Sequence, residues 1–214
     1  NPWPGRMQTI YGDPERFVDT YYAKYAKSDS KDWRDWPYVT GDGGTQGADG
    51  YLRVVGRVDD VINVAGHRLG TKELESAALT VEAVSEAAAV PAFDELKGRV
   101  PEMYVSLKPG FGADSGVDEQ VRQAISQIIG PIARPSHVWV TSDLPKTRSG
   151  KIMRRVIASI SNFIDVGDTT TLSNPEIVEE IQRQVQTAKV GLGKIPQGVP
   201  QEVIQEIMRF GEEK

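Results

Sequence analysis

The chain has 214 residues, 39% of them hydrophobic, which is enough for one ordinary folded domain with additional segments. Its formal net charge of −5 argues against broad nucleic-acid binding, and two histidines without any cysteine exclude disulfides, thiolate metal sites and histidine-rich metal sites. Because no apolar stretch approaches the roughly 20 residues of a membrane span and the first residues are not a signal peptide, we expect a cytoplasmic protein, and the missing initiator methionine indicates a fragment.

The first 58 residues combine one predicted helix with a glycine-rich hairpin. Residues 14–26 form an amphipathic pattern that opens with a proline, which is favoured at the first position of a helix. Residues 38–50 are rich in glycine and contain two Asp-Gly pairs, so we expect a loop and a hairpin turn ahead of a strand over residues 51–56.

Strands and helices alternate between residues 61 and 140. Gly66 ends the first of these strands, and Gly130-Pro131 is a stop signal for the last helix. The predicted elements are a strand over 61–65, a helix over 71–80, an apolar run over 87–92, a strand over 103–107, a helix over 117–129 and a strand over 137–140.

The sequence changes character after Arg155. A polar stretch with three consecutive threonines leads to a predicted helix over 175–188, and a Gly/Pro-containing linker leads to a last helix over 200–210. We interpret residues 161–214 as a helical appendage.

Residues 145–155 place one lysine, Lys151, on a Ser-Gly turn ahead of a predicted amphipathic helix over 152–160. The run is not a phosphate-cradling P-loop, because Pro145 stands where that motif has its first glycine and Ile152 where it has Ser or Thr. A cation fixed in this place is suited to bind a phosphate or a carboxylate. Alternatively, Lys151 is only one member of a solvated helix face. A small anionic partner is the expected one for a basic cluster this local, which comprises Lys146, Arg148, Lys151, Arg154 and Arg155.

Two further segments pair glycine turns with charged side chains. Asp42, in a glycine-rich loop, could accept hydrogen bonds from two ribose hydroxyls, or it could only bond its own backbone in a turn. Arg57 and Arg68 lie close to glycines in the sequence and could bind phosphate through two hydrogen bonds, or they could be ordinary surface residues. The three segments together suit an enzyme that activates a carboxylic acid with ATP.

These segments, in this order and spacing, resemble the adenylate-forming superfamily, and most closely its AMP-forming acetyl-CoA synthetases (acetate–CoA ligases). The motifs are Thr40-Gly41-Asp42, residues 56–60 with 66–70, and residues 145–151. Trp3-Pro4-Gly5 and residues 9–13 resemble the acetyl/propionyl subgroup, and the likeness extends to about Arg155.

The resemblance implies an α+β fold in which a small C-terminal lid domain follows the end of a large nucleotide-binding domain. The implied bounds are 1–58 for the end of the large domain, 59–160 for the lid and 161–214 for the helical extension. ATP, Mg2+ and coenzyme A are the implied cofactors. The missing N-terminal domain is the implied partner, and neither nucleic acid nor a membrane is expected.

The resemblance also assigns roles to single residues. Lys151 would bridge the attacking carboxylate and the α-phosphate during adenylation, and reversible acetylation of this lysine by an acetyltransferase and a deacetylase would remove its charge. Asp42 would hold the ribose hydroxyls, Arg57 would be a second nucleotide contact, and Asp59 would be the hinge about which the lid rotates.

After this rotation, the glycine turn would serve thioester formation. Gly66 would line the pantetheine tunnel, Arg68 would contact phosphate, and Ala65 stands on the thiol side where relatives often have serine. Ser126 and Gln127 replace a basic residue that contacts the CoA phosphate in relatives. Metal binding through backbone oxygens is implied for Leu79, Val81 and Val84.

Three alternatives to an acetate-specific ligase stay open. The chain could belong to a ligase for another acid, such as propionate or a medium-chain acid, or it could be a stand-alone lid-like subunit that acts in trans. The basic turn could instead dock nucleic acid or a protein. The chain alone is not expected to catalyse the reaction, because the acyl pocket and the main ATP loop are absent from its sequence.

Overall fold

A computed structural model describes residues 5–58, 60–112 and 116–212 of the chain. The chain divides into two compact units, Asn1–Asp59 and Asp60–Lys214, and each is described by itself. The predicted hinge, Asp59, and two residues of the first resemblance motif, Trp3 and Pro4, lie outside the described residues.

The first unit packs one helix against aromatic rings. Helix α1, Pro14–Tyr21, begins where the Asp13 carboxylate accepts the backbone N–H of Arg16 at 3.0 Å, and its proline needs no hydrogen-bond partner at that position. The predicted helix over 14–26 ends earlier, at Tyr21, and a short 3₁₀ segment follows at Ala23–Tyr25. The small core of this unit consists largely of the rings of Phe17, Tyr22, Trp33 and Tyr38.

Two antiparallel strands complete the first unit. Strand β1, Asp42–Gln46, pairs with strand β2, Leu52–Arg57, and a β-bulge interrupts their register between Gly43 and Gly44. The sequence pattern predicted the turn and the second strand. The first strand, which consists mainly of glycine and polar residues, forms through this pairing.

The described residues of the second unit form two sheets and five α-helices. Strands β3, Val61–Val64, and β4, His67–Gly70, form an antiparallel hairpin. The remaining elements are α2, Thr71–Ala78; β5, Val84–Asp94; β6, Gly98–Leu107; α3, Val117–Ile128; β7, His137–Val140; α4, Arg154–Ser161; α5, Glu176–Gly191; and α6, Gln201–Glu212. In the three-stranded sheet, β6 lies between β5 and β7, antiparallel to the first and parallel to the second.

Both faces of the three-stranded sheet are buried. Successive side chains of a strand point to opposite faces, and each face packs in a separate cluster. In β6, Met103 and Val105 pack in a cluster with α2, α3 and the β3–β4 hairpin, whereas Tyr104 packs in a second cluster with α4 and α5. Burial on both faces explains why residues 87–90 of β5 are continuously apolar rather than alternating. The combination of helices with a mixed sheet and an antiparallel hairpin is the α+β fold expected from the resemblance.

Helix α5, in the region interpreted as an appendage, is part of this second core. Its Lys189 ammonium lies 2.8 Å from Glu102 Oε1 on β6, and both side chains are only 4% exposed. The same ammonium donates to the Ser161 carbonyl at 2.8 Å, and Trp139 Nε1 donates to Glu102 Oε2 at 3.2 Å. A buried polar network with all these bonds made fixes α5 against α4 and the sheet.

The start of α4 and the presence of β4 differ from the sequence prediction. Helix α4 begins at Arg154 rather than Ile152, because Ile152 forms an antiparallel bridge with Lys146 instead of the first helical turn. Strand β4 lies where the sequence indicated only a glycine turn.

Among the described residues, no helix combines the length and apolarity needed to cross a membrane.

Candidate functional site

The glycine-rich hairpin of the first unit brings Asp42 and Arg57 together. The two residues are directly opposite each other in the β1–β2 register, and residues paired in this way project from the same face of a hairpin. Arg57 Nη1 donates to the Thr40 carbonyl at 3.2 Å, and the Asp42 N–H donates to Thr40 Oγ1 at 3.2 Å. A carboxylate and a guanidinium are therefore held next to each other on the exposed end of the hairpin.

Gly41 is required by the position of the Arg57 guanidinium. The backbone of Gly41 has a φ of +79°, and a Cβ added there would lie 2.7 Å from Arg57 Nη2. Any other residue would be strained and would displace the guanidinium. This contact explains the glycine in the Thr-Gly-Asp motif.

The second candidate segment is the turn between β3 and β4. Ala65 has a φ of 46° and Gly66 a φ of 87°, and two positive φ values at the centre of a two-residue turn match the twist of its strands. Arg68 follows on β4, exposed and paired with Asn63. The structure thus brings Ala65, Gly66 and Arg68 together around one exposed hairpin end.

Lys151 lies on a second tight turn, which we call the lysine hairpin and define as residues 145–153. The Thr147 N–H donates to the Lys151 carbonyl at 2.9 Å, and the Met153 N–H donates to the Pro145 carbonyl at 2.8 Å. The Thr147 hydroxyl accepts the Lys151 N–H at 3.1 Å, and Gly150, at a φ of +78°, allows the chain to reverse. Backbone bonds thus fix Lys151 while its side chain is exposed.

The five residues of the basic cluster divide into two groups. Lys146, Arg154 and Arg155 bind within the protein: Lys146 to Glu86 and Asp143, Arg154 to Glu75, and Arg155 to the backbone carbonyls of Val166 and Asp168. Lys151 and Arg148 are exposed, and among the described residues neither has an acidic partner within ion-pair distance. These two cations are therefore available to an external anion.

Sequence reasoning missed the groups that support the lysine hairpin. Lys146 Nζ lies 2.8 Å from both Asp143 Oδ1 and Glu86 Oε2, and these hydrogen bonds raise the pKa of Lys146 above its ordinary value. Partial burial opposes ionisation of Asp143, but the bonds from Lys146 and from the Leu144 N–H outweigh it and lower the pKa of that carboxyl. No signal in the sequence pairs Lys146 with Glu86, because Glu86 lies on a strand 60 residues earlier in the chain.

Arg154 joins α4 to α2 beneath the same hairpin. Its Nη2 donates to Glu75 Oε2 at 2.6 Å and its Nε donates to Glu75 Oε1, a geometry in which guanidinium and carboxylate share two parallel bonds. Glu75 Oε1 also accepts the Ala89 N–H of β5 at 3.2 Å. The hydrogen bonds to Glu75 raise the pKa of Arg154 further above its ordinary value, so the guanidinium stays ionised.

The residues implied for a metal offer only neutral backbone oxygens. Leu79 follows α2, Val84 opens β5, and the Val81 carbonyl already accepts the Val84 N–H at 3.0 Å. Within the described residues, no group of three or more His, Asp or Glu side chains could hold a metal ion. Hard cations favour carboxylate ligands, so this donor set does not fit a tight metal site. The metal at these positions stays a prediction.

The positions implied for the CoA phosphate lie in the last turns of α3. Gln127 is exposed, and the buried Ser126 hydroxyl has no hydrogen-bond partner among the described residues. Neither side chain carries a charge that could bind a phosphate ionically.

The family model for the AMP-binding enzyme C-terminal domain matches residues 73–151, a segment that ends at Lys151. These residues are similar to that family. The expected resemblance and the fold expected for the lid are therefore confirmed for this segment, which we refer to as the AMP-binding C-terminal domain.

Relatives extend the similarity beyond the AMP-binding C-terminal domain. The chain is 46% identical over 189 residues to the acetyl-coenzyme A synthetase of Rubrobacter xylanophilus, covering 88% of this chain and 28% of that protein. It is 45% identical over 186 residues to the acetyl-coenzyme A synthetase of Gemmatimonas aurantiaca, covering 86% and 27%. The chain thus spans little more than a quarter of the length of these relatives.

A solved structure supports the same relationship. The anthranilate CoA ligase AuaEII, in complex with anthranoyl-AMP, is similar with a TM-score of 0.53 and 30% sequence identity, over 58% of this chain and 24% of that chain.

Proposed function

We propose that this chain is the C-terminal part of an AMP-forming acetyl-CoA synthetase that activates acetate, or a similarly short acid, with ATP and transfers the acyl group to CoA. The observation that carries the proposal is the exposed Lys151 ammonium, which lacks an acidic partner among the described residues and ends the segment matched by the AMP-binding C-terminal domain family. High identity to two acetyl-coenzyme A synthetases supports acetate as the acid.

In the first half-reaction, a carboxylate oxygen attacks the α-phosphorus of ATP, and pyrophosphate leaves. Both reactants are anions, so they repel each other until a cation neutralises part of their charge. A lysine fixed by backbone bonds supplies that cation without reorganisation during the reaction, and it aligns the two groups by bridging them. The internal pairing of Lys146 and Arg154 supports this role for Lys151, because those neighbours are already committed to carboxylates.

In the second half-reaction, the CoA thiol displaces AMP from the acyl-adenylate. We assign Gly66 and Ala65 to the path of the pantetheine chain, and Arg68 to a phosphate contact. The β3–β4 turn supports this assignment, because Gly66 has no side chain and leaves its backbone accessible at an exposed hairpin end. The proposed domain bounds are 1–58, 59–160 and 161–214, with Asp59 as the hinge that alternates the lysine hairpin and the glycine turn at the reacting groups.

The first unit would bind the nucleotide. We assign Asp42 to the ribose hydroxyls and Arg57 to a second nucleotide contact, with ATP bound as its Mg2+ complex. Their direct pairing across the β1–β2 hairpin supports a shared role. The missing N-terminal domain would supply the acyl pocket. We further propose that the enzyme acts in the cytoplasm and that acetylation of Lys151 would switch off adenylation by removing its charge.

The test uses the complete synthetase with Lys151→Ala. Acetate-dependent ATP–pyrophosphate exchange should fall by roughly a thousandfold, while thioester formation from supplied acetyl-adenylate and CoA should survive. Arg148→Ala is the matched control, since it removes the other exposed cation of the same hairpin, and its loss of exchange should be far smaller. Equal losses in both half-reactions for Lys151→Ala would refute the assigned role.

A further inference from the structure

Residues 172–174, which we call the anchor segment, lie along the outer edge of the lysine hairpin. Leu172 forms an antiparallel bridge with Thr147, and its side chain, 5% exposed, belongs to the second buried cluster. The Ser173 N–H donates to the Lys146 carbonyl at 2.8 Å. The anchor segment thus pairs as a third strand with the outer strand of the lysine hairpin. Bonds within the hairpin alone would leave the outer backbone groups of that strand without a partner.

Asn174 uses every polar atom of its side-chain amide to hold this hairpin. Its Oδ1 accepts the Lys146 N–H at 3.0 Å, and its Nδ2 donates to Asp143 Oδ2 and to the Leu144 carbonyl, both at 2.9 Å. A flipped amide would place its NH2 group against an N–H donor and its oxygen against a carboxylate. Only one orientation satisfies all three partners, so the amide fixes the chain at the entrance to the hairpin.

The hairpin strand is consequently bonded along both edges. The Pro145 carbonyl and the Thr147 N–H bind the returning strand, which carries Lys151, whereas both backbone groups of Lys146 bind the anchor segment. Asp143 adds a side-chain connection, because one of its oxygens binds Asn174 and the other binds the Lys146 ammonium. A displacement of the anchor segment would therefore be transmitted to the backbone next to Lys151.

We propose that Asn174 is a positioning residue for the adenylation half-reaction. The inference rests on the proposed function, in which Lys151 must reach a carboxylate and an α-phosphate at the same time. Asn174 touches neither reactant; it fixes the lysine hairpin so that the ammonium arrives in one place. A misplacement of about 1 Å at a reacting group can cost a hundredfold in rate.

The test is Asn174→Ala in the complete synthetase, with the two half-reactions measured separately. The kcat of acetate-dependent ATP–pyrophosphate exchange should fall roughly ten- to a hundredfold with the KM for ATP little changed, and thioester formation from supplied acetyl-adenylate should stay within about twofold. Asn174→Asp keeps an acceptor for the Lys146 N–H, so its exchange rate should fall less than that of Asn174→Ala.

Asn162→Ala is the matched control. The Asn162 amide also makes three hydrogen bonds, accepting the Phe93 N–H at 2.9 Å and donating to the carbonyls of Pro91 at 2.9 Å and Ala158 at 2.7 Å. None of these partners belongs to the lysine hairpin. This variant should lose a comparable amount of stability and leave the ratio of the two half-reaction rates unchanged.

Three results would overturn the positioning role: equal losses in both half-reactions of Asn174→Ala, no loss in either, or a rate ratio equal to that of Asn162→Ala. If Asn174→Ala does not fold, Asn174→Asp carries the test, because the loss of two donors must still lower exchange more than thioester formation. Lys151→Ala, measured alongside, separates the two proposals. Exchange that survives in Lys151→Ala overturns the proposed function, whereas its loss there combined with normal exchange in the Asn174 variants overturns only the positioning role.

Discussion

Arg154 and Glu75 join helices α4 and α2 through two parallel hydrogen bonds, and their side chains are only 17% and 5% exposed. Arg154→Ala would leave a buried carboxylate with Lys72 at 3.3 Å as its remaining cation. We expect a loss of about 3 kcal/mol in the free energy of unfolding, and a smaller loss for Arg154→Lys, which keeps the charge but not the paired geometry. Urea unfolding followed by circular dichroism measures both.

Arg148→Ala is the control for this comparison. It removes an exposed guanidinium that has no acidic partner among the described residues, so it should change stability by no more than about 0.5 kcal/mol. A similar loss in Arg148→Ala and Arg154→Ala would contradict a structural role for the Arg154–Glu75 pair.

Lys189→Met tests whether α5 is an integral part of the second unit. The substitution leaves the Glu102 carboxylate buried without its cation, so we expect a loss of about 3–5 kcal/mol in the free energy of unfolding. Adding Glu102→Gln removes the uncompensated charge and keeps an acceptor for Trp139 and Ser161. The double variant should recover most of the loss, and a double-mutant cycle in urea measures the coupling. Strictly additive losses would argue that the two residues do not act as a pair.

His137 predicts an acid sensitivity of the second unit. Burial lowers the pKa of His137 below its usual 6.5. The nearby cations Lys194, Arg122 and Lys189 lower this pKa further, and their combined effect exceeds the opposite effect of Glu102. Just below pH 6.5 the unfolded chain then binds more protons than the folded chain, so stability falls as the pH falls through this window.

His137→Gln should flatten this pH dependence, because the substituted side chain does not titrate. His67→Gln, at an exposed position, serves as the matched control for the loss of a histidine. Unfolding free energies between pH 7 and pH 5 decide the matter. An unchanged slope in His137→Gln would show that another group causes the acid sensitivity.

Gly66→Leu tests the proposed path of the pantetheine chain in the complete synthetase. Gly66 has a φ of +87°, so any side chain there strains the backbone by roughly 1 kcal/mol, but no described atom lies within 4 Å of the added Cβ. Gly66→Ala carries the strain with little bulk, so the difference between the two variants isolates obstruction. We expect Gly66→Leu to slow thioester formation more than tenfold relative to Gly66→Ala and to spare adenylation.

Gly98→Leu provides a control for backbone strain at another turn. Gly98 has a φ of +74° in the β5–β6 hairpin and likewise has no described atom within 4 Å of an added Cβ. Equal thioester rates in the Leu variants at Gly66 and Gly98 would count against the proposed path.

The sequence predicted elements whose signals are local. Helices α2 and α3 follow from apolar spacing and from glycine or proline at their ends, and strand β7 follows from a short apolar run. Strand β4 was missed because His67, Arg68 and the flanking glycines are not typical of strands; it exists through its pairing with β3. The early start assigned to α4 had the same cause, since Ile152 is apolar but is paired with Lys146.

The candidate site was predictable in composition but not in arrangement. The glycines and charged residues of the three motifs could be read directly, and Asp42, Arg57, Gly66, Arg68 and Lys151 keep their roles as predictions. Which cations are internally paired could not be read, because Glu75 and Glu86 lie about 80 and 60 residues from Arg154 and Lys146. Such long-range pairs leave no periodic signal in the sequence.

Asn174 lies 28 residues after the backbone group that it binds at Lys146. The lysine motif itself is complete at Arg155. During translation it therefore emerges from the ribosome before the anchor segment, which pairs with its outer strand. A nascent or proteolytically shortened chain that stops between these points carries Lys151 without this support. On the proposed function, competence for adenylation would therefore be acquired only after residues 172–174 have left the exit tunnel.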